Sequence, residues 1–393
     1  MDRTDILISG AGPAGLAAAC ALGTEGHNVI LVDPAPPVTG EDAPGADLRT
    51  TALLQPARDL LDRAGVWPDL APHGADLWTM RIVDASRTPP VSRDFDASDI
   101  ADAPFGWNFP NWLLRKALLA RVDALPNVET RFGRSVAALF TREAEARVTL
   151  DDGARISARL VLACDGRDSP LRAMAGIRAR TVSYDQTALT FAVSHAAPHG
   201  NVSIEVHQAG GPFTLVPLPD RDGRHRSAVV WMDRHDAQAD RQRMDKADFT
   251  AVMNTRSGGV MGALELISPR AAWPILTRVA HRMTGRRLAL AAEVAHAMPP
   301  IGAQGLNTSL ADIAVLRDLA ATRDIGSRAM LDAYQRRRFP DVLARATGID
   351  LLNRTSIAGA APFQAARAWG VGALHDIAPI RRGLMKLGLG HAA

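Results

Sequence analysis

The chain opens with short apolar runs alternating with amphipathic stretches. Ile6, Leu7 and Ile8 form a continuous apolar run, as expected of a strand buried on both faces. An Ala- and Leu-rich stretch from Leu16 to Leu22 predicts a buried helix, and Val29 to Val32 a second strand. The spacing of Leu53, Leu54, Ala57, Leu60 and Leu61 predicts a helix over 51–64, led by Arg49 and stopped by Gly65. Residues 76–95 alternate like strands. A second amphipathic helix is predicted over 111–124, with Leu113, Leu114, Ala117, Leu118 and Val122 inward. Short strands at 128–132 and 147–150 precede a turn at Asp151-Asp152-Gly153 and an apolar strand over 156–164. From 180 to 270 the character changes. Strand-like runs at 188–194, 202–207, 213–217 and 227–232 predict an antiparallel sheet, with a helix near 245–254. From Arg287 the order strand, glycine loop, helix returns. A long polar-faced helix follows over 327–347, and 348–393 reads as helical with apolar patches.

Composition narrows this only a little. A chain of 393 residues that is 47% hydrophobic can build a large core and two lobes. The net charge of +3 is small, and the basic residues are scattered. The cluster Arg336-Arg337-Arg338 reads as a solvated helix face, and no nucleic-acid surface is indicated. Cys20 and Cys164 fall inside predicted elements without metal-ligand spacing, so they read as small buried hydrophobes in a reducing compartment, and no metal site is expected. The first strand leaves no room for a signal peptide, and no apolar run reaches the ~18 residues of a membrane span. These features predict a cytoplasmic protein, at most peripheral to a membrane. The absence of H-E-x-x-H, Walker and G-x-S-x-G patterns removes the common hydrolase and NTPase readings.

Three separated stretches carry candidate chemistry. In the first, Gly10, Gly12, Pro13, Ala14 and Gly15 lie between strand and helix. Gly10 permits a tight turn, Gly12 leaves the backbone open to a pyrophosphate, and Gly15 lets helix and strand pack closely. The helix N-terminus favours phosphate, and Asp33 ends the second strand where a carboxylate can accept ribose hydroxyls. This is a dinucleotide site. The second stretch is Cys164-Asp165-Gly166 with Arg167, Ser169 and Arg172. The third runs from Leu288 to Asp312, where a strand meets Glu293, a Pro299-Pro300 break, a glycine loop and a new helix N-terminus that favours negative charge. His195 and His207 lie on predicted sheet strands, and either could face a pocket. Asp168, Arg172 and Asp312 read as cap or surface charges, and the tryptophans as core.

These stretches, taken in order over nearly the whole chain, resemble the single-component FAD-dependent aromatic hydroxylases (flavoprotein monooxygenases), in particular the ubiquinone-biosynthesis branch. The resemblance also takes in Arg49, Pro300-Ile301, Gln304-Gly305-Leu306-Asn307 and a closing Gly383-Leu384-Met385-Lys386-Leu387-Gly388. It implies an α/β fold: a Rossmann-like, three-layer FAD-binding domain from 1–75, 100–178 and 271–345, an inserted antiparallel substrate domain from 76–99 and 179–270, and C-terminal helices from 346. It implies Arg49 near the flavin or pyrophosphate, Asp165 and Gly166 touching FAD and a visiting NAD(P)H, and Gly305, Leu306 and Asn307 against the flavin ring. His296 falls at the family's histidine, where a structural histidine bonded to backbone is favoured over a catalytic one. This chain departs from the family at Ala292, Glu293, Ala303 and Ser309, where the family carries Gly, Asp, Gly and Gly. The activity implied is NAD(P)H- and O2-dependent hydroxylation of an aromatic ring, on a polyprenylated phenol or quinone precursor. The apolar tail (Leu351-Leu352, Pro362-Phe363, Trp369, Leu384 to Leu389) would help meet a membrane or partner, or pack on the core. A hydroxylase of small soluble aromatics, a reductase of prenyl double bonds and a non-catalytic subunit retaining the fold are the alternatives.

Overall fold

A computed structural model describes residues 1–85, 89–208, 210–357 and 378–389. Two large sheets organise them. The first has eight strands, in the order Thr284–Gly285, Leu288–Leu290, Arg155–Ala163, Asp2–Ser9, Val29–Asp33 and Val128–Phe132. A hairpin, Val136–Thr141 with Ala146–Leu150, extends from Arg155–Ala163. The central strands are parallel, with Ile6 opposite both Leu160 and Val29. Ile6, Leu7 and Ile8 are fully buried. The Ala-rich helix Pro13–Thr24 can approach the sheet closely because its facing side chains are small. It packs with the helices Asn111–Asp123 and Gln304–Thr322 in the same core.

The second sheet has nine strands, in the order His296–Ala297, Ala271–Ala280, Ala179–His195, Arg224–Arg234, Gly211–Arg221, Val202–Gln208, Thr79–Asp84 and Val91–Asp96, with Leu264–Leu266 alongside Ala179–His195. One pair, Val202–Gln208 with Thr79–Asp84, is parallel, so the sheet is mixed rather than wholly antiparallel. The outer face carries Leu189, Phe191, Phe213, Leu215, Val229 and Trp231. The helix Lys246–Ser257 covers it with Phe249 and Met253. The preceding helix, His235–Arg243, carries few apolar residues and left no sequence signal.

The structure moves several expected boundaries. Residues 51–54 are not helical. Thr50–Leu54 is a strand paired with Gly106–Pro110, and the helix begins at Gln55 with Pro56 in its first turn. β-branched threonines and a tight partner glycine outweigh the helical spacing of the leucines: a Cβ on Gly106 would lie 2.3 Å from the Leu53 carbonyl oxygen. Ala271–Ala280 belongs to the second sheet, because it continues the ladder of Ala179–His195, so that sheet runs past residue 270. The helix Arg328–Ile357 crosses residue 346 without a break and keeps Pro340 inside it, and Ala378–Leu389 is a further helix. Pro362, Phe363 and Trp369 lie outside the described residues. Among the described residues no helix is long and apolar enough to cross a membrane.

Candidate active site

The glycine loop is built by close contacts. A Cβ on Gly15 would lie 1.8 Å from the Gly10 carbonyl oxygen, and one on Gly10 would lie 2.3 Å from that of Cys164. Gly10 also needs its φ of 106°. Gly12 differs: nothing lies within 4 Å of where its Cβ would be. The turn is therefore held by Gly10 and Gly15 and left open at Gly12, the shape a pyrophosphate requires. Asp33 accepts from Ala11 N–H at 2.6 Å through one oxygen and from Ala35 N–H at 2.9 Å through the other. It braces the loop and keeps further lone pairs for ribose hydroxyls.

The Asp165 loop sits directly on this turn. Cys164 N–H donates to the Ser9 carbonyl at 2.8 Å. Asp165 accepts from Ser169 Oγ at 2.5 Å and Leu171 N–H at 3.3 Å, and burial pushes its carboxyl above the ordinary value. Arg172 was expected to be a cap or surface charge. It reaches across to the third stretch, donating from Nη1 to the Val294 carbonyl at 2.9 Å. Asp168 is exposed and pairs with Arg278 at 2.8 Å.

In the third stretch Asp312 corrects its expectation outright. It is 0% exposed. It accepts from Ala292 N–H at 3.1 Å, pairs with His296 Nε2 at 2.7 Å, and accepts from Arg338 Nε at 2.8 Å. Arg338 was expected on a solvated face but is buried, because this carboxylate meets it there. His296 is buried, and its Nε2 partner is a carboxylate rather than backbone. Burial pushes Asp312 up. The charges and hydrogen bonds of His296 and Arg338 outweigh that and hold it below the ordinary value. Glu293 is exposed and lies 3.5 Å from Arg167.

The helix Gln304–Thr322 starts without a side-chain cap, so its first N–H groups and positive dipole end face the loop Pro299–Gly302. Gly305 has open space where its Cβ would be. Pro300 is exposed, and Leu306 packs at the edge of the main core. The Asn307 side chain is fully engaged: it donates to the Ala52 and Ala303 carbonyls at 2.7 Å and accepts from Leu54 N–H at 2.8 Å. It ties this helix to the Thr50–Leu54 strand. Two departures from glycine, Ala292 and Ala303, have φ of 58° and 56°, the left-handed region that favours glycine. Ser309 fits inside its helix by donating to the Gly305 carbonyl at 2.9 Å.

Arg49 points into the same region from a cradle that sequence spacing did not reveal. Its guanidinium forms a fork on Asp47 at 2.8 and 2.7 Å and stacks 3.9 Å from the centre of the Trp273 ring. Asn111 and Arg115 also donate to Asp47. Trp273 belongs to the second sheet, so this contact joins that sheet to the segment leading into Thr50–Leu54, and it is an exception to the expectation that tryptophans are core. His207 lies on the inner face of that sheet, and His195 on the outer face, buried against Ala197 and Ser227. The closing Gly388 accepts from Gln304 Nε2 at 3.0 Å, which brings the C-terminal helix to the same loop.

A family model described as FAD binding domain matches residues 3–346. The chain belongs to this family. The open Gly12, the half-buried Asp165 loop and the uncapped helix N-terminus fit FAD, the family's cofactor. The chain is 34% identical to the ubiquinone hydroxylase UbiL of Rhodospirillum rubrum, over 98% of this chain and 89% of that protein. It is 27% identical to the 3-demethoxyubiquinol 3-hydroxylase of Escherichia coli, over 98% of each. Its fold is that of p-nitrophenol 4-monooxygenase PnpA from Pseudomonas putida, with a TM-score of 0.79 at 19% identity over 99% of each chain.

Three predictions follow from this geometry. Gly12→Ala should fold as the parent does yet retain less FAD, whereas Gly15→Ala should lose stability even without cofactor; thermal melts and bound-flavin absorbance separate the two. Ala292→Gly and Ala303→Gly relieve left-handed strain of about 1–2 kcal/mol each, offset by about 0.5–1 kcal/mol of glycine entropy. Each should therefore raise the urea midpoint slightly, and a fall in both would show the strain is absent. Asp312→Asn should cost about 3–5 kcal/mol by leaving the buried Arg338 with only the half-buried Asp341 as a charge partner. Because the folded Asp312 pKa is depressed, its contribution is present above the ordinary carboxylate range and is lost as pH falls through the folded value. The variant should lose less stability than the parent on acidification, measured by urea unfolding from pH 7 downwards.

Proposed function

We propose that the protein is an FAD-dependent, NAD(P)H-consuming monooxygenase that hydroxylates the ring of a polyprenylated phenol or quinone precursor in ubiquinone biosynthesis. One observation carries the reading: an uncapped helix N-terminus follows a loop whose Ile301 meets the half-buried inner face of a separate sheet, the face on which the forked Arg49 stacks over Trp273. When bound and reduced, FAD supplies dioxygen activation and transfer of one oxygen atom. This chain's residues do the rest. Gly10, Gly12, Pro13, Ala14, Gly15 and Asp33 hold the ADP half. Arg49 and the first turn at Gly305, Leu306 and Asn307 favour negative charge at the flavin end. Glu293 extends from the strained Ala292 turn, long enough to reach a ribityl hydroxyl. The sequence carries one glycine loop in the correct context, so NAD(P)H would dock transiently, with Arg167, Arg172 and Arg278 around the Asp165 loop as phosphate partners.

A prenylated substrate resides in a membrane, so the enzyme would meet a lipid surface or partners that deliver it. Exposed Leu343 and Leu351 on the long helix Arg328–Ile357 offer apolar area for that contact.

The purified protein should be yellow, with flavin absorbance. It should oxidise NAD(P)H and consume oxygen only when a phenol is added, faster with a prenylated phenol than with a polar one. Isotope from labelled dioxygen should appear in the product ring. A colourless protein that takes up no FAD would overturn the reading in favour of a non-catalytic subunit. Equal rates with polar phenols would move it to the small-aromatic hydroxylases.

A further inference from the structure

The inner face of the second sheet differs from its outer face in a regular way. Across four adjacent strands, Thr190, Val230, Thr214 and Glu205 stand in register. All four are half-buried, while their outer-face neighbours Phe191, Val229, Leu215 and Val206 are buried. The inner face is also the one that meets the flavin-side loop. Ile301 packs with Ala188, Met232 and Ile275, and Trp273, whose Nε1 donates to Thr190 Oγ1 at 3.2 Å, carries Arg49. The row is thus the floor of a cleft against the candidate flavin site.

Glu205 is out of place on such a floor. Its side chain is 19% exposed between Thr214 and, on the next strand, Ile82. One oxygen, Oε1, lies 2.6 Å from Nε2 of His207, two residues along the same face. Among the described residues no donor reaches the other oxygen. His207 is 8% exposed, and its Nδ1 is buried without a partner among the described residues. A half-buried carboxylate is costly unless its lone pairs are matched. Burial pushes Glu205 up, but the hydrogen bond and charge of His207 outweigh this and hold it below the ordinary value. It is therefore an anion near neutral pH with one oxygen open to the cleft.

We infer that Glu205 accepts the hydrogen bond of the substrate's ring hydroxyl, with His207 as the positioning residue that aims it. The pair thereby selects phenols over their ethers. The inference rests on the aromatic hydroxylase reading. A hydrogen bond from the hydroxyl to an anion also raises electron density in the ring, which oxygen transfer to carbon requires. The proton remains shared between the two oxygens.

The test compares a short-chain prenylated phenol with its O-methyl ether on the FAD-loaded full-length protein. Binding is read from perturbation of the flavin spectrum, and turnover from hydroxylated product per NAD(P)H. The parent should prefer the phenol by about tenfold or more, the size of a hydrogen bond to a charged group. In E205Q that preference should fall close to one, with bound-flavin absorbance and thermal midpoint unchanged. H207A should lose most of the preference, mainly through KM, and H207Q, which keeps an N–H donor for Glu205, should recover part of it. If E205Q does not fold, the H207A and H207Q pair carries the same test. An unchanged phenol-to-ether ratio in E205Q, or no preference in the parent, overturns the assignment. If neither compound is hydroxylated the hydroxylase reading falls instead, and the binding ratio alone decides the role of Glu205.

Discussion

The buried Asp312 carboxylate is the contact on which the cofactor end of the structure depends. It has no solvent to stabilise it, so its environment must supply every donor. Those donors come from three elements: the turn at Ala292, the short strand carrying His296 just after it, and the long helix carrying Arg338, some forty residues further on. Removing a charge from water costs several kcal/mol, and a buried pair recovers this only when its geometry is nearly complete. Asp312 meets that condition. Its pairing holds the Ala292 turn against the middle of a core helix, and the same turn is tied to the Asp165 loop by Arg172. Three stretches far apart in sequence become one surface through these few polar contacts.

Much of the first sheet was legible because its signals are local. An apolar run, three glycines at fixed spacing and an acidic residue after the second strand each follow from backbone sterics or phosphate geometry. The contacts in the structure now assign each glycine its role: Gly10 and Gly15 are fixed by near-contact with backbone oxygen, and Gly12 by the absence of any neighbour. The strand at Thr50–Leu54 was misread because its partner, Gly106–Pro110, lies some fifty residues away, and a pairing over that distance leaves no periodic trace. The Arg49 cradle was hidden for the same reason. Asp47 is adjacent in sequence, but Trp273 and Asn111 are not.

Buried charge was the other blind spot. Asp312 and Arg338 look in sequence like any helix-surface acid and base, and each reading was reasonable taken singly. Contacts with each other, with His296 and with Asp341 offset the cost of their burial, so neither position could be recognised alone. Strand alternation gave a better return in the second sheet. It could not decide between His195 and His207. Once the outer face was fixed by Phe249 and Met253, parity alone sent His195 outward and His207 inward.

The departures from the family pattern look different in this light. Ala292 and Ala303 keep the backbone angles that glycine would have taken, so the turns retain their shape although each carries a methyl group. Ser309 satisfies its hydroxyl within its own helix. A chain released from a flavin would have no reason to hold two alanines in a left-handed conformation in the segment leading into an uncapped helix N-terminus. That strain persists because the surroundings impose it: Asp312 fixes the amide of Ala292, and Asn307 grips the carbonyl of Ala303. The substitutions change the side chains at the proposed flavin end while leaving its backbone, and therefore its N–H groups, in the conformation that glycine would have taken.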